Sequence, residues 1–488
     1  MNTDLLVVGG DGDLAIRKLY PSMFYLELNS CMPAGTRIIG MARTANEQQA
    51  FLEKIKKGVL AAIPEKLYSE SKWEAFSRRI SFAQADATNP ESFSKARDKH
   101  LRDDHQLVVY LAIPPMIFGK VCSSLEVSGV VKPTTRLIVE KPLGDSRESF
   151  MEINAELARV FPEDQLFRID HYLGKEGVQN LIALRFANDI FEPLWNSKYI
   201  EFIEITMSED VGVGNRWAFY NQTGATRDML QNHLLQVLCL LAMEPPSALN
   251  ADSVRTEKLK VLNCLKPILP SAVKERTVRA QYQAGQVDGE QVPGFLEEES
   301  DKYEIDPNSK TETYVAVQAE IENWRWSGVP IYMRTGKRLD GKRSEIVVQF
   351  KQSHHRMFDQ NHLEHKPNRL VISLQPDKGI GLEIMNKVAG LEAGIPLEAG
   401  SLNISFDDAK EPTHDAYSRL LFDVMRNDQT LFVSAAEVEA AWCWVDQIFA
   451  SWKDVDMPNE KYESGSKGPA AADELMARNG HKWYDNSK

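Results

Sequence analysis

The chain has 488 residues, of which 43% are apolar and 26% charged, and its formal net charge is −13. That length exceeds one ordinary core, so two domains are expected, and the acid excess argues against a nucleic-acid binder, which is ordinarily basic. The most apolar stretch, 234–243, is interrupted by Gln236 and falls well short of the roughly 18–20 residues that span a bilayer, so no membrane association is expected.

In chain order, the first third alternates short apolar runs with stretches long enough for helices. Residues 5–8, 37–40, 107–112, 137–139 and 166–169 read as strands, nearly continuous in apolar character as parallel strands covered on both faces are. This alternation predicts a doubly wound, Rossmann-like α/β domain over 1–170. The first strand runs into Gly9-Gly10-Asp11-Gly12-Asp13-Leu14. Glycines at a strand end allow a tight turn and a close backbone approach to a pyrophosphate, and the helix that follows offers free N–H groups to it. The spacing is G-x-x-G rather than the full G-x-G-x-x-G, and a strand–helix turn with no ligand reads the same way. Arg43 follows the second strand, where an arginine suits the 2′-phosphate of NADP; a solvated arginine is the alternative. Ala112-Ile113-Pro114-Pro115 and Glu140-Lys141-Pro142 end two further strands, where a dinucleotide crevice would open.

After about residue 170 the pattern changes. A mostly apolar helix is expected over 226–243, extended runs over 313–321, 331–334, 345–350, 370–374 and 402–406, and a helix over 435–452. These predict a C-terminal α+β domain over 171–488 with a large, mainly antiparallel sheet. At the change of architecture, Asp170-His171-Tyr172-Leu173-Gly174-Lys175 gathers a carboxylate, an imidazole, a phenol and an ammonium. His171, Tyr172 and Lys175 could together hold a phosphate dianion; a loop of solvated charges is the plainer reading. His233 is a lone histidine on the apolar 226–243 helix, but Asp228 and Asn232 share that helix, and buried polar residues are costly unless paired or liganded. Residues 334–343 carry five cations in ten, among them Lys337 and Lys342, either as a solvated turn or as a rim facing an anion. The five cysteines (Cys31, Cys122, Cys239, Cys264, Cys443) form no CxxC pair, which points to free thiols in a reducing cytoplasm and to no metal site.

Taken in order, GGDGDLAIRKL, AIPP, EKPLG, RIDHYLGKE, EDVGVGNRWAFY, GATRDMLQNHLLQ, AMEPP, NWRWSGVPIYMRTGKRL, DQTLFV and GSKGPAAADEL make the chain resemble the glucose-6-phosphate dehydrogenase family over essentially its whole length. The resemblance implies oxidation of glucose 6-phosphate to 6-phosphogluconolactone with hydride transfer to NADP, the first step of the oxidative pentose phosphate pathway. It implies His233 as catalytic base with Asp170 as its partner, and His171, Tyr172 and Lys175 as phosphate ligands. Glu209, Asp228, Lys337 and Lys342 would hold sugar hydroxyls, and Lys18 would lie near both ligands. Gly9, Gly10, Asp11, Gly12, Asp13, Leu14, Arg43 and Lys141 would contact the cofactor, and the chain would form a homodimer or homotetramer through the second domain's sheet. Two positions depart from the pattern. Asp11 stands where Ser, Thr or Lys is common, and Thr44 where a second arginine is common, which leaves NAD open as a secondary cofactor. Two other readings are a free-sugar dehydrogenase of the glucose–fructose oxidoreductase type, in which the EKP lysine is catalytic, and a non-catalytic NADPH-binding sensor. The RIDHYLGK cluster speaks against the first, and the presence of both Asp170 and His233 against the second.

Overall fold

The computed structural model describes residues 2–44, 47–298, 304–352, 366–390, 395–406 and 415–485, and every candidate site residue lies within them. The chain forms two compact units. One takes Met1–Lys175, Pro246–Thr256 and Pro412–Glu439; the other takes Glu176–Pro245, Glu257–Glu411 and Ala440–Lys488. The division expected from chain order, 1–170 and 171–488, follows sequence alone, whereas two short later segments pack with the first unit.

The first unit is built on strands β1 (Thr3–Val8), β2 (Arg37–Ala42), β3 (Ile80–Gln84), β4 (Gln106–Leu111), β5 (Arg136–Val139) and β6 (Leu166–Arg168). All neighbours pair in parallel, in the order β3-β2-β1-β4-β5-β6. β1 and β4 are buried along their whole length, as their apolar runs require. One face of the sheet buries Leu6, Val8, Ile39, Met41, Val109 and Val139 against Phe93, Phe118 and Leu157. The order reverses between β1 and β4, so their carboxyl ends border the crevice in which such sheets take ligands. The last of these segments joins the unit through β6: Val433 bridges Arg168, the Phe167 and Phe432 rings meet edge to face at 4.9 Å, and Gln429 donates to the Leu166 carbonyl. The helix Ala416–Arg426 buries Leu420, Leu421 and Val424, and its Ser418 donates to the Ser22 carbonyl.

The second unit carries β7 (Ile200–Ser208), β8 (Thr277–Gln283), a small hairpin of β9 (Gly285–Val287) and β10 (Glu290–Val292), then β11 (Tyr314–Ala319), β12 (Ile331–Gly336), β13 (Arg343–Phe350), β14 (Arg369–Gln375), β15 (Gly379–Lys387), β16 (Leu397–Ser405) and β17 (Glu460–Glu463). Its sheet runs β16-β15-β14-β13-β7-β12-β11-β8-β17. β7 with β12 and β8 with β17 are parallel; the other pairs are antiparallel. The fold class is therefore the expected one. The 226–243 segment differs in detail: Thr226–Leu234 is wound as a π-helix and Leu235–Ala242 as an α-helix.

Candidate active site

In the first unit the glycine turn is fixed by its neighbours. Gly9 and Gly10 both donate their N–H to the Met41 carbonyl at 2.9 Å, which presses the turn against the end of β2. Gly9 has φ +81°, and a Cβ there would come within 2.4 Å of the Ala112 carbonyl oxygen at the end of β4. Only glycine fits this position. A helical run begins at Asp13, so the turn presents a helix start to whatever enters the crevice. Asp11, the residue that departs from the family pattern, accepts a bond from Lys54 Nζ on its backbone oxygen at 2.5 Å. Asp13 pairs with Arg17 at 3.5 Å in solvent, Leu14 is half-buried, and Arg43 is exposed just beyond β2. The glycine cradle and the helix start fit the pyrophosphate of a dinucleotide.

The loop after β6 folds on itself. Asp170 accepts from the Tyr172 N–H at 2.9 Å, and the Asp170 and Tyr172 carbonyls accept from the Leu173 and Lys175 N–H groups. Lys175 Nζ stands 3.2 Å over the Tyr172 ring, and the His171 ring lies 5.1 Å from the same ring. The structure thus places His171, Tyr172 and Lys175 together. One further group joins them that the sequence did not reveal. Tyr417 lies parallel to His171, with ring centroids 6.3 Å apart and 4° between planes. Its hydroxyl and that of Tyr110 both bond to Glu140, the residue before Lys141. Burial pushes the Glu140 carboxyl up from 4.5 to about 7, against the pull of the two phenols and Lys141. Lys18 is held by Asp415, two residues before Tyr417, at 3.0 Å. No local pattern signals Asp415 or Tyr417, because their partners lie hundreds of residues away.

In the second unit the parallel pairing of β7 and β12 sets Ser208 opposite Gly336. The next residues are Glu209 and Lys337, and their side chains meet at 2.5 Å. Lys337 Nζ also lies 5.1 Å over the ring of Tyr220. That buried phenol is pushed well above its usual range, first by burial and then by the nearby carboxylates of Asp228 and Glu209. Glu209, Lys337 and Asp228 therefore gather around Tyr220. Asp228 and His233 belong to the π-helix; Asp228 is half-buried and His233 fully buried. Glu312, a buried carboxylate that no motif pointed to, caps this helix by accepting from the Thr226 N–H at 3.1 Å. Lys342 does not join the group. It is exposed in the 337–342 loop, and among the described residues its ammonium has no hydrogen-bond or ion-pair partner. The loop itself is pinned by Ser208, whose hydroxyl donates to the Gly341 carbonyl at 2.6 Å and accepts from the Arg343 N–H at 3.2 Å.

Two family models match this chain. The one described as "Glucose-6-phosphate dehydrogenase, NAD binding domain" covers residues 6–180, and "Glucose-6-phosphate dehydrogenase, C-terminal domain" covers 182–484. The chain is 42% identical to the glucose-6-phosphate 1-dehydrogenase of Dickeya dadantii, over 99% of this chain and 98% of that one. It is 44% identical to that of Mycolicibacterium smegmatis, over 99% and 97%. A solved glucose-6-phosphate dehydrogenase in complex with its substrate glucose-6-phosphate matches with a TM-score of 0.90 at 32% identity, over 99% of each chain.

Proposed function

The chain belongs to the glucose-6-phosphate dehydrogenase family, and from that premise we propose that it oxidises glucose 6-phosphate to 6-phosphogluconolactone with NADP as its cofactor. The observation that carries the reading is the family match across both halves of the chain, residues 6–180 and 182–484. His171, Tyr172 and Lys175 receive the phosphate, and Glu209, Asp228, Lys337, Lys342 and Lys18 orient the sugar. His233 takes the anomeric hydroxyl proton on one ring nitrogen. Asp170 orients the imidazole through the other and stabilises the imidazolium that forms. The glycine turn, Arg43 and Lys141 bind the cofactor, which when bound supplies the hydride acceptor. Arg43 supports NADP over NAD, with NAD as a secondary cofactor.

The test follows reduced-nicotinamide absorbance with glucose 6-phosphate or free glucose and with either cofactor. Turnover should require the phosphate, favour NADP, and fall about 10²–10⁴-fold in His233→Asn, the range general-base catalysis supplies. Undiminished turnover in that variant would remove His233 from its role, and turnover with free glucose alone would replace the substrate. The same reading makes the protein a cytoplasmic enzyme and a homodimer or homotetramer; among the described residues no helix is long and apolar enough to cross a membrane.

A further inference from the structure

The 2′-phosphate reading leaves a puzzle at the glycine turn. Asp11 puts an acid into the glycine turn, and Thr44 supplies no second cation after Arg43. The helix Gln48–Ala62 answers it. Phe51, Ile55 and Val59 are buried and seat this helix on the first unit. Lys54, exposed on the same helix, reaches the turn and donates from Nζ to the Asp11 carbonyl oxygen at 2.5 Å. The turn itself is pressed against Met41, two residues before Arg43. Lys54 thus borders the turn that leans on the end of β2, and Arg43 follows that strand, where dinucleotide folds meet the 2′ position of the adenosine ribose.

We propose that Lys54 is the second cation of the 2′-phosphate site. Arg43 presents a planar fork to phosphate oxygens, while Lys54 acts as a point charge that both anchors the turn and offsets Asp11. A lysine serving only as a tether would support any dinucleotide alike. A lysine that meets the 2′-phosphate discriminates between ligands that differ by that group.

The inference rests on the NADP reading, and one set of titrations separates the two. The full chain, Lys54→Gln, Lys54→Arg and Arg43→Ala are titrated calorimetrically with adenosine 2′,5′-bisphosphate and with 5′-AMP, alongside kcat/KM for NADP and NAD. Lys54→Gln should weaken the bisphosphate about ten-fold or more, the scale of one hydrogen bond to a charged group, and leave 5′-AMP within about two-fold. Lys54→Arg should retain most of the discrimination, and the NADP/NAD ratio should track the bisphosphate. Equal weakening of both nucleotides would make Lys54 a tether and overturn the proposal. Unchanged binding in Lys54→Gln with discrimination lost in Arg43→Ala would overturn it while the NADP reading stands. A wild-type protein that binds the bisphosphate no more tightly than 5′-AMP would bring down the NADP reading, and this inference with it.

Discussion

Glu204 shows what burial does to a single carboxyl. It sits inside β7, accepts from the Tyr484 N–H at 3.0 Å, and has Arg334 and Arg369 nearby, yet burial still pushes it up from 4.5 to about 7. Its folded value lies above its unfolded one. The stability it contributes is therefore complete below pH 4.5 and is lost as pH rises through about 7. Replacing it with glutamine should flatten the fall in melting temperature between pH 5 and pH 8, by as much as about 3 kcal/mol in unfolding free energy. Calorimetric melts of wild type and Glu204→Gln at the two pH values would check this; parallel curves would show that the carboxyl does not titrate there. At this scale the sequence was informative wherever residues sharing a motif also share a loop. His171, Tyr172 and Lys175 lie within five positions and meet as expected. Asp415, Tyr417 and Glu312 escaped because each bonds to a group at least 86 positions away, and nothing in a window of sequence records that.

Elements were legible where burial is two-sided. β1, β4 and β5 stand out as apolar runs, and the glycine turn follows from the first of them. Edge strand β3 (Ile-Ser-Phe-Ala-Gln) was not foreseen, because with one face less covered its apolar run is broken. β7 was missed because Glu204 and Thr206 occupy buried positions that pattern reading assigns to solvent. The π-winding of Thr226–Leu234 was also hidden, since the same residues suit an α-helix. The chain turns into that helix at Gly224, whose φ is +67° and ψ 172°, and a Cβ there would meet the Glu312 carboxylate at 2.6 Å. Removing the cap by Glu312→Ala should cost about 1–3 kcal/mol, for a buried N–H left without its acceptor. Because the helix carries Asp228 and His233, kcat should fall with it. A denaturant melt paired with steady-state kinetics tests both; full stability would deny the cap. At the other turn, Gly9→Ala forces a side chain into a positive-φ position against the Ala112 carbonyl. Cofactor affinity should drop at least about ten-fold, a strain of about 1–3 kcal/mol, measured by fluorescence titration with the reduced cofactor.

At the scale of the whole molecule, the order of the second sheet leaves β16 at an edge with Leu402 and Ile404 59% and 61% exposed. An apolar edge strand in a folded chain is a natural place for a second copy to pair. The double variant Leu402→Lys/Ile404→Lys should shift the mass seen by light scattering toward the monomer, and an unchanged mass would put any subunit contact elsewhere. Both fold classes were readable from the alternation of strands and helices. The tripartite make-up of the first unit was not, because Pro412–Glu439 carries no mark in sequence of its partnership with β6. That partnership has a consequence for the birth of the protein. During synthesis, at about 5–20 residues per second, the ribosome delivers the six parallel strands long before it delivers Val433, Tyr417 and Asp415. For an interval on the order of tens of seconds the nascent chain holds a nearly finished sheet whose last strand, β6, still lacks its bridging segment. This edge is a natural client for a chaperone, and a message truncated before residue 412 yields a protein that can never close it.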